Sequence, residues 1–330
     1  MLLSLIIPVY NAEHTITRLF DSIMNQKTHS LKLEIIAIND GSTDNSLQFL
    51  NNLTGQFNEL KVFSTQNQGV YKTRNFALSK IKGDYVWMLD ADDYISLNAF
   101  YLIEKQLHEI IDVLHFAYNI EDDSGSIKTQ PTPKQSYSMV DGLSFLESND
   151  GRLYLWNNIY NATFIKNQKL LFLAKAVNLE DSLFNISVFS RAKRVKYLNK
   201  PLYTYAFEVN SISRKKNLNH LLNLGESSYN VHMNTIKIRN SFMSNERGYK
   251  VINNCLSHSV LGFFYSLIVE KYPIKYVKKT YNLYKLQGLL PVKKYKGSMK
   301  VQFFKNLLNC KWLYLVLFRL RSFSHQKTID

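Results

Sequence analysis

Three carboxylates crowd the end of an apolar run in this sequence. Asp90, Asp92 and Asp93 follow the five large apolar side chains of residues 85–89. A short run of this composition predicts a buried strand, and α/β proteins bind ligands where such strands end. The carboxylates repel one another unless a cation joins them, and Mg²⁺ or Mn²⁺ prefers oxygen ligands shared with a substrate's phosphates. The alternative is a helix cap beside a solvated loop.

Strands alternate with helices through the first hundred residues. This alternation predicts an α/β fold with a mostly parallel sheet flanked by helices. The carboxyl ends of the first, second and fourth strands should then meet at one edge of the sheet. Strands are predicted at residues 2–9, 33–38, 60–63 and 85–89, and helices at 15–25, 46–53 and 70–81.

Polar residues follow two other predicted strands. Pro8, Tyr10 and Asn11 end the first strand, and Asp40-Gly41 ends the second. Neither a GxGxxG nor a GxxxxGK[ST] motif occurs in the chain, so a dinucleotide-binding oxidoreductase and a P-loop NTPase both lose their main support. If phosphate is bound at this edge, a metal must neutralise most of its charge.

Composition and cysteine usage narrow the class of protein. The chain has 330 residues, 45% of them hydrophobic, which suffices for one large or two ordinary domains. Cys255 and Cys310 have neither metal-ligand spacing nor a disulfide framework, so we expect a reducing compartment. The apolar start lacks a basic region and is expected to be a strand, not a signal peptide. No window of 18 uncharged apolar residues predicts a membrane-spanning helix.

The net charge of +15 is unevenly distributed. Residues 1–213 carry 20 Lys and Arg against 22 Asp and Glu, whereas residues 214–330 carry 21 against 4. We therefore predict a near-neutral α/β domain at 1–213 and a basic α-helical domain at 214–330. Helices of the second domain are predicted at residues 217–241, 247–269, 274–288 and 299–321.

Four motifs in their order along the chain closely resemble glycosyltransferase family 2. The resemblance implies the Rossmann-like GT-A fold, a nucleotide-diphosphate sugar donor (UDP-sugar above all), a divalent metal and inverting transfer. The motifs are Pro8-Val-Tyr-Asn11, Asn39-Asp-Gly-Ser-Thr-Asp44, Asn67-Gln-Gly69 with Arg74-Asn75, and Leu89-Asp-Ala-Asp-Asp93.

The resemblance implies that residues 1–100 bind the nucleotide-sugar. Pro8 and Tyr10 would flank the base and ribose, Asp40 would hydrogen-bond the uracil or its ribose, and Arg74 would lie near the nucleotide. Structural alternatives exist: Asp40 could belong to a turn, and Arg74 could pair with an acidic neighbour. The resemblance extends the donor site to Asn67, Asp90, Ala91 and Asp92.

The metal site implied by the resemblance consists of Asp92 and Asp93. Asp90 would face the ribose and the sugar, while Asp92 would bind Mn²⁺ or Mg²⁺. Asp93 matches an additional aspartate that the family often carries. Its contact with the metal is left open.

Residues 101–213 should provide the acceptor half and the base. Inverting displacement needs a carboxylate that deprotonates the acceptor hydroxyl opposite the leaving diphosphate. The family has an acidic pair before an apolar helix, and here Glu180 and Asp181 precede residues 182–189. We expect Asp181 to be the base and Glu180 to assist the acceptor or orient the base. The alternative is a helix N-cap at Asp181 with Glu180 in the first turn.

A closing segment is also implied by the resemblance. Ser211, Ser213 and Arg214 would fold over the diphosphate. The family often has a basic residue where this chain has Ala206, so Arg214 is the expected substitute.

The basic domain lies beyond the resemblance and must be interpreted from its chemistry. Lysines and tyrosines interleave through residues 270–321, beside apolar side chains that could form one helix face. This pattern favours docking on an anionic membrane surface, which suits a lipid-linked or cell-surface saccharide acceptor at the cytoplasmic face of the membrane. Packing against the first domain or a second subunit is the alternative, and nucleic acid is less favoured. The apolar face would comprise Phe303, Phe304, Leu307, Leu308, Trp312, Leu315 and Phe318.

The alternative function for the whole chain is a non-catalytic GT-A-like scaffold that binds a partner or nucleic acid through this basic domain.

Overall fold

The computed structural model divides the chain into two compact units. The first comprises Met1–Lys175 and Glu180–Ser211, and the second comprises Ala176–Leu179 and Ile212–Asp330. The structure describes residues 1–131, 139–149, 153–173, 179–207, 217–293, 295 and 297–324.

The first unit is built on a nine-stranded sheet, counted over the described residues. Its order is β3-β2-β1-β4-β8-β6-β9-β5, and β7 pairs with β6 outside this path. The strands are β1 (Leu2–Val9), β2 (Lys32–Asp40), β3 (Leu60–Thr65), β4 (Tyr85–Met88), β5 (Tyr94–Ile95), β6 (Val113–Glu121), β7 (Ile127–Gln130), β8 (Asn158–Asn161) and β9 (Val195–Tyr205).

The parallel half of the sheet confirms the predicted strand–helix alternation. β1 lies between β2 and β4 with all three parallel, and Ile6 is level with both Ile36 and Met88. These strands are almost wholly buried because helices cover a parallel sheet on its faces, which their continuous apolar sequences anticipate. The carboxyl ends of β1, β2 and β4 are therefore neighbours, as expected.

The other half of the sheet is mixed, which the sequence did not predict. β8 runs antiparallel to both β4 and β6, whereas β6 and β9 are parallel. Short β5 pairs antiparallel with the end of β9, where Tyr94 is level with Thr204. This pairing places the end of β9 directly beside the acidic residues that precede β5.

Seven helices accompany the sheet within the described part of the first unit. Their apolar faces pack on it: α1, for example, buries Ile16, Leu19, Phe20 and Ile23. The helices are α1 (Ile16–Met24), α2 (Ser46–Thr54), α3 (Val70–Leu78), α4 (Ala99–Gln106), α5 (Gly142–Ser148), α6 (Ala162–Asn167) and α7 (Glu180–Phe189).

The described residues of the second unit are helical, as predicted, but one predicted helix is wrong. The helix expected at 299–321 is two helices, because Cys310 between them adopts an extended backbone (φ −96°, ψ 95°). The helices are α8 (Leu218–Asn240), α9 (Arg247–Val269), α10 (Ile274–Leu286), α11 (Met299–Asn309) and α12 (Lys311–Ser324).

The second unit has its own hydrophobic core. Phe264, Tyr284 and Tyr314 are fully buried in it, and the Tyr314 hydroxyl donates to the Phe264 carbonyl oxygen at 2.9 Å. Among the described helices, α9 alone is long and apolar enough to cross a membrane by length and composition, with a mean hydropathy of 1.3. More than half of that window is buried inside the protein, as in a core helix.

Candidate active site

The loops that follow β1 and β2 are joined by hydrogen bonds. Asn11, in the left-handed backbone region, accepts from the Thr43 N–H at 2.8 Å, and its own N–H donates to Ser42 Oγ. Asp44 accepts from the Glu13 N–H in the same manner. Tyr10 directly follows β1 and is 46% exposed. The residue expected to flank the base and ribose is thus an exposed ring beside hydrogen-bonded loops.

Asp40 fixes the turn that leads into α3. Its carboxylate accepts from the Gln68 and Gly69 N–H groups, both at 3.0 Å, and the side chain is buried. Gly41 has a positive φ of 71°, and a Cβ atom there would lie 2.6 Å from the Asn67 backbone nitrogen. The Asp40-Gly41 pair therefore holds the exposed Asn67 at the sheet edge. These hydrogen bonds favour the alternative in which Asp40 belongs to a turn over the role of an exposed carboxylate that binds the base.

Arg74 binds three of the predicted acidic site residues. Its Nη1 donates to Glu180 Oε1 and Asp181 Oδ1, both at 2.9 Å, and its Nη2 donates to Asp90 Oδ1 at 3.0 Å. The guanidinium is buried and lies over the ring of Phe172. The predicted pairing with an acidic neighbour is therefore present, with three partners. One cation joins residues that are up to 107 positions apart in sequence.

The neighbouring Asn75 holds Phe172 beneath that guanidinium. Its side-chain amide donates to the Phe172 carbonyl oxygen and accepts from the Phe172 N–H, both at 2.9 Å. The Arg74-Asn75 pair thus works as a unit, because the second residue positions the ring on which the first lies.

Asp181 combines partial exposure with a raised pKa. Its side chain is 23% exposed, whereas Glu180 is 9% exposed. Loss of hydration raises the pKa of Asp181 to about 7; Arg74 opposes this shift, and the charges of Glu180 and Asp90 add to it. Helix α7 begins at Glu180, so Asp181 lies in its first turn and the N-cap alternative is wrong. An acid that titrates near neutrality suits proton transfer.

The acidic stretch after β4 divides into two kinds of carboxylate. Asp90 is 33% exposed and bound to Arg74, and Asp92 is partly exposed. Asp93 is 1% exposed, and its oxygens accept from the Tyr203 hydroxyl at 2.6 Å and the Ala206 N–H at 2.8 Å. Burial raises the pKa of Asp93 well above its ordinary value, with the charges of Asp92 and Asp90 adding to the effect.

These residues fit a metal that is shared with a substrate. Within the described part of the chain, no group of three or more His, Cys, Asp or Glu side chains is placed to hold a metal by itself. Asp92 is partly exposed, and hard divalent cations are often held by one or two carboxylates together with substrate phosphates. The geometry argues against the predicted role of Asp93 as a ligand, because both of its oxygens already accept hydrogen bonds inside the protein.

Two residues near the acidic loop were missed in the sequence. The Arg18 guanidinium, on α1, donates to the backbone carbonyl oxygen of Asp92. Tyr203, on β9, contacts both Asp93 and the Asp90 N–H. Arg18 has no local motif, and Tyr203 belongs to a Tyr-x-Tyr sequence that resembles the family's closing segment, with no site role predicted for it. The predicted closing residues Ser211, Ser213 and Arg214 lie outside the described residues.

Comparison with known proteins identifies the family. The model of glycosyl transferase family 2 matches residues 4–169, about half of the chain, and covers all four motifs of the nucleotide half. The chain belongs to glycosyltransferase family 2. The match ends before Glu180 and Asp181, so their assignment depends on the geometry around Arg74.

Curated relatives of this family 2 chain carry the same activity in their names. An uncharacterized glycosyltransferase, EpsJ, of Bacillus subtilis is 28% identical over 218 residues, which are 64% of this chain and 63% of EpsJ. An uncharacterized glycosyltransferase of Haemophilus influenzae is 36% identical over 158 residues, 46% of this chain and 60% of that protein. The matched segments therefore span about three fifths of these relatives.

Solved structures establish the fold of this family 2 chain as GT-A, with helices following the sheet domain. The Staphylococcus aureus protein TarS, residues 1–349 in complex with UDP-GlcNAc, superposes with a TM-score of 0.73 at 21% identity, covering 99% of this chain and 92% of that one. A Pyrobaculum calidifontis mannosyltransferase, in complex with GDP-Man and Mn²⁺, gives 0.54 at 11% identity, covering 98% and 87%. The predicted α/β fold with a helical C-terminal part is confirmed.

Proposed function

We propose that this chain catalyses the metal-dependent, inverting transfer of a sugar from a UDP-sugar to a hydroxyl of a saccharide acceptor. The observation that carries the proposal is the Arg74 cluster. It binds Asp90, on the donor side of the site, and Asp181, the candidate base, with one buried guanidinium. A scaffold without catalytic activity would have no need of a partly exposed aspartate held beside Asp90 with its pKa raised by burial.

Asp181 would take the proton from the acceptor hydroxyl. As that proton moves to the carboxylate, the acceptor oxygen forms a bond to the anomeric carbon from the face opposite the leaving group. The bond between the anomeric carbon and the diphosphate breaks with its electron pair on the phosphate oxygen. Glu180, bound to the same guanidinium nitrogen, would keep Arg74 in place and orient the base.

The donor would lie along the edge formed by β1, β2 and β4. Tyr10 would stack on the base, Asp40 would hold the neighbouring loop, and Asp92 would bind the metal. A bound Mn²⁺ or Mg²⁺ would supply Lewis-acid stabilisation of the departing diphosphate. UDP as the nucleotide is supported by the TarS complex with UDP-GlcNAc, and a metal by the Mn²⁺ in the mannosyltransferase complex.

Binding and turnover measurements test the enzymatic proposal. Purified protein would be titrated with UDP-sugars with and without Mn²⁺, and hydrolysis or transfer followed by UDP release. We expect Asp92→Ala to remove the metal-dependent part of binding, and Asp181→Asn to retain binding while lowering turnover at least about 100-fold. If no UDP-sugar binds to the wild-type protein with or without metal, the donor assignment is wrong.

We further propose that the enzyme works on a lipid-linked or cell-surface saccharide at the cytoplasmic face of the membrane, and that the second unit docks it there. Residues 271–329 contain 14 Lys and Arg and not one Asp or Glu. A segment of this charge is attracted to anionic lipids and repels a second copy of itself. The charge therefore favours a membrane over a homo-oligomer on this surface.

Helices α11 and α12 supply apolar anchors to the same segment. The apolar face predicted there is divided, because Leu308 and Phe318 are buried in the core while Phe303 and Trp312 are 67% and 70% exposed. Leu320 lies two turns after Trp312 on α12 and is 63% exposed. Aromatic and aliphatic side chains beside lysines are the pattern of an interfacial helix, whereas nucleic acid would gain little from exposed leucine.

Vesicle sedimentation tests the docking proposal. We expect the protein to pellet with vesicles containing phosphatidylglycerol, less with pure phosphatidylcholine, and less again in about 0.5 M salt, where charges are screened. The double variant Trp312→Ser/Leu320→Ser should weaken binding at least tenfold, since each side chain inserted contributes about 2 kcal/mol.

The control for this experiment is Leu97→Ser, which changes an equally exposed leucine (73%) of the first unit. It should leave vesicle binding unchanged. Docking is refuted if the protein stays in the supernatant with anionic vesicles. A dimer in analytical ultracentrifugation that the double variant abolishes would instead assign the face to self-association, and preferential binding of RNA would assign it to nucleic acid.

A further inference from the structure

The Tyr203 hydroxyl contacts the backbone of Asp90 and the side chain of Asp93 in the acidic loop. It donates to Asp93 Oδ2 at 2.6 Å and accepts from the Asp90 N–H at 3.3 Å. One hydroxyl therefore touches both ends of the segment that presents Asp92. The hydroxyl is fully buried with its ring, so solvent does not compete for either hydrogen bond.

The ring that carries this hydroxyl is held on two sides. Tyr203 stacks on Trp156 with ring centroids 4.7 Å apart and an interplanar angle of 8°, and it contacts Trp87 at 6.4 Å. Trp87 in turn donates from its indole Nε1 to the Trp156 carbonyl oxygen at 2.7 Å. This packing restrains the ring and therefore the position of its hydroxyl.

Backbone contacts attach the same loop to β9 at two further points. The Ala206 N–H donates to the other oxygen of Asp93, and Tyr94 pairs with Thr204 across β5 and β9. The acidic loop is thus fastened to the end of β9 on both sides of Asp92. Ala206 occupies the position where a basic side chain was expected, and its backbone supplies the contact.

We propose that Tyr203 and Asp93 are positioning residues that hold the loop so that Asp92 faces the donor, and that Asp93 does not itself bind metal. The inference rests on the proposed UDP-sugar transfer. It assigns different roles to two adjacent aspartates of the same side-chain chemistry: Asp92 is partly exposed, and Asp93 is buried with both oxygens hydrogen-bonded inside the protein.

A double-mutant cycle distinguishes positioning from ligation. Calorimetry would measure UDP binding with and without Mn²⁺ for Tyr203→Phe, Asp93→Asn and the double variant. Loss of a buried hydrogen bond to a carboxylate should weaken Mn²⁺-dependent UDP binding about tenfold in each single variant. The double variant should be weakened by less than the sum of the two single changes, because both remove the contact between Tyr203 and Asp93, while Tyr203→Phe also removes the contact with the Asp90 N–H. Metal-free UDP binding should not change.

Kinetics provide a second measurement on the same proteins. The donor KM should rise with the loss of binding, and the acceptor KM should be unaltered. Tyr197→Phe is the matched control, because it removes a hydroxyl from the same strand whose contact, with Ser148 Oγ, is 3.5 Å long. It should match the wild type in UDP binding.

The outcomes separate this inference from the proposed function. If the wild-type protein binds no UDP, the proposed function fails. If the wild type binds and Tyr203→Phe binds equally well, positioning by Tyr203 is refuted. If Asp93→Asn abolishes the Mn²⁺ dependence while Tyr203→Phe retains it, Asp93 is a metal ligand.

Discussion

The charge of Arg74 should set the pH at which the enzyme works. Three carboxylates surround this one buried guanidinium, so Asp90, Glu180 and Asp181 carry more negative charge than it compensates. With Arg74 in place the pKa of Asp181 is raised to about 7. Replacing Arg74 by Met would remove the opposing charge and should raise that pKa further.

The size of the effect follows from the geometry. Nη1 lies 2.9 Å from Asp181 Oδ1, so the two charges are centred about 4 Å apart, which at an effective dielectric constant of 20 corresponds to about 4 kcal/mol. One pKa unit corresponds to about 1.4 kcal/mol, so the upper limit of the increase is about 3. Entry of water would reduce this increase, and we expect the pKa of Asp181 to rise by about 1 to 2, which would lower the rate at pH 7 about 5- to 50-fold.

The assay is the pH dependence of kcat/KM for sugar transfer. The wild-type rate should rise with pH through about 7, because the base must be deprotonated, and the rising limb of Arg74→Met should move to higher pH. The variant should also be less stable, by about 3–5 kcal/mol, since it leaves buried carboxylates without a cation. Arg74→Lys retains a charge but loses the three-way contact, so its limb should lie between the two.

The control is Arg194→Met, which breaks an ion pair with the buried Asp112 at the opposite end of β6 and β9. It should lower stability without moving the pH profile. If Arg74→Met lowers the rate equally at every pH, with the midpoint of the limb unchanged, Arg74 acts through contact with the substrate and the electrostatic reasoning is refuted.

Three further predictions follow from the fold and the donor loops. Gly41→Ala should lower the melting temperature and weaken UDP binding, because its Cβ would lie 2.6 Å from the Asn67 nitrogen and its φ is positive; Gly55→Ala, with open space around the added Cβ, is the calorimetric control. Asp40→Asn should weaken UDP binding about tenfold and leave the Mn²⁺ dependence of that binding little changed, since the single amide oxygen cannot replace both carboxylate oxygens that accept from Gln68 and Gly69. If the variant binds UDP as tightly as the wild type, the turn does not need the carboxylate. Burial lowers the pKa of His115 to about 4 and that of His232 to about 3, so below pH 6.5 each histidine binds a proton in the unfolded state but not in the folded state. The free energy of unfolding should therefore fall by about 2 kcal/mol per histidine when the pH is lowered from 6.5 to 5. Denaturant titrations of His232→Asn should show a smaller dependence of that free energy on pH.

Local sequence was sufficient for the first half of the fold. The strands β1 to β4 and helices α1 to α3 lie within a few residues of their predicted bounds, because each is short and has one apolar period. The proximity of the polar motifs could be predicted in the same way, since the loops that follow neighbouring parallel strands lie at the same edge of the sheet. Their resemblance to glycosyltransferase family 2 was therefore readable without coordinates.

The long helix at the end of the chain marks a limit of that reasoning. Apolar periodicity continues across Cys310, and a window of sequence cannot show that its backbone is extended there. The break between α11 and α12 is seen only in the folded protein, where Leu308 before it and Tyr314 after it are buried in the same core. Periodicity records that a side chain is apolar, and it does not say which side chains remain exposed.

What the sequence determined by itself is the list of acidic residues, their order, and the uneven charge of the two units. What only the tertiary structure decided is how those acids are used. Asp92 and Asp93 are identical in type and adjacent in sequence, yet one is partly exposed and the other is buried against Tyr203. Arg74 meets Asp181 across 107 positions. The physical reason is that burial, partner and pKa are properties of the folded environment, which long-range packing creates and no local pattern encodes.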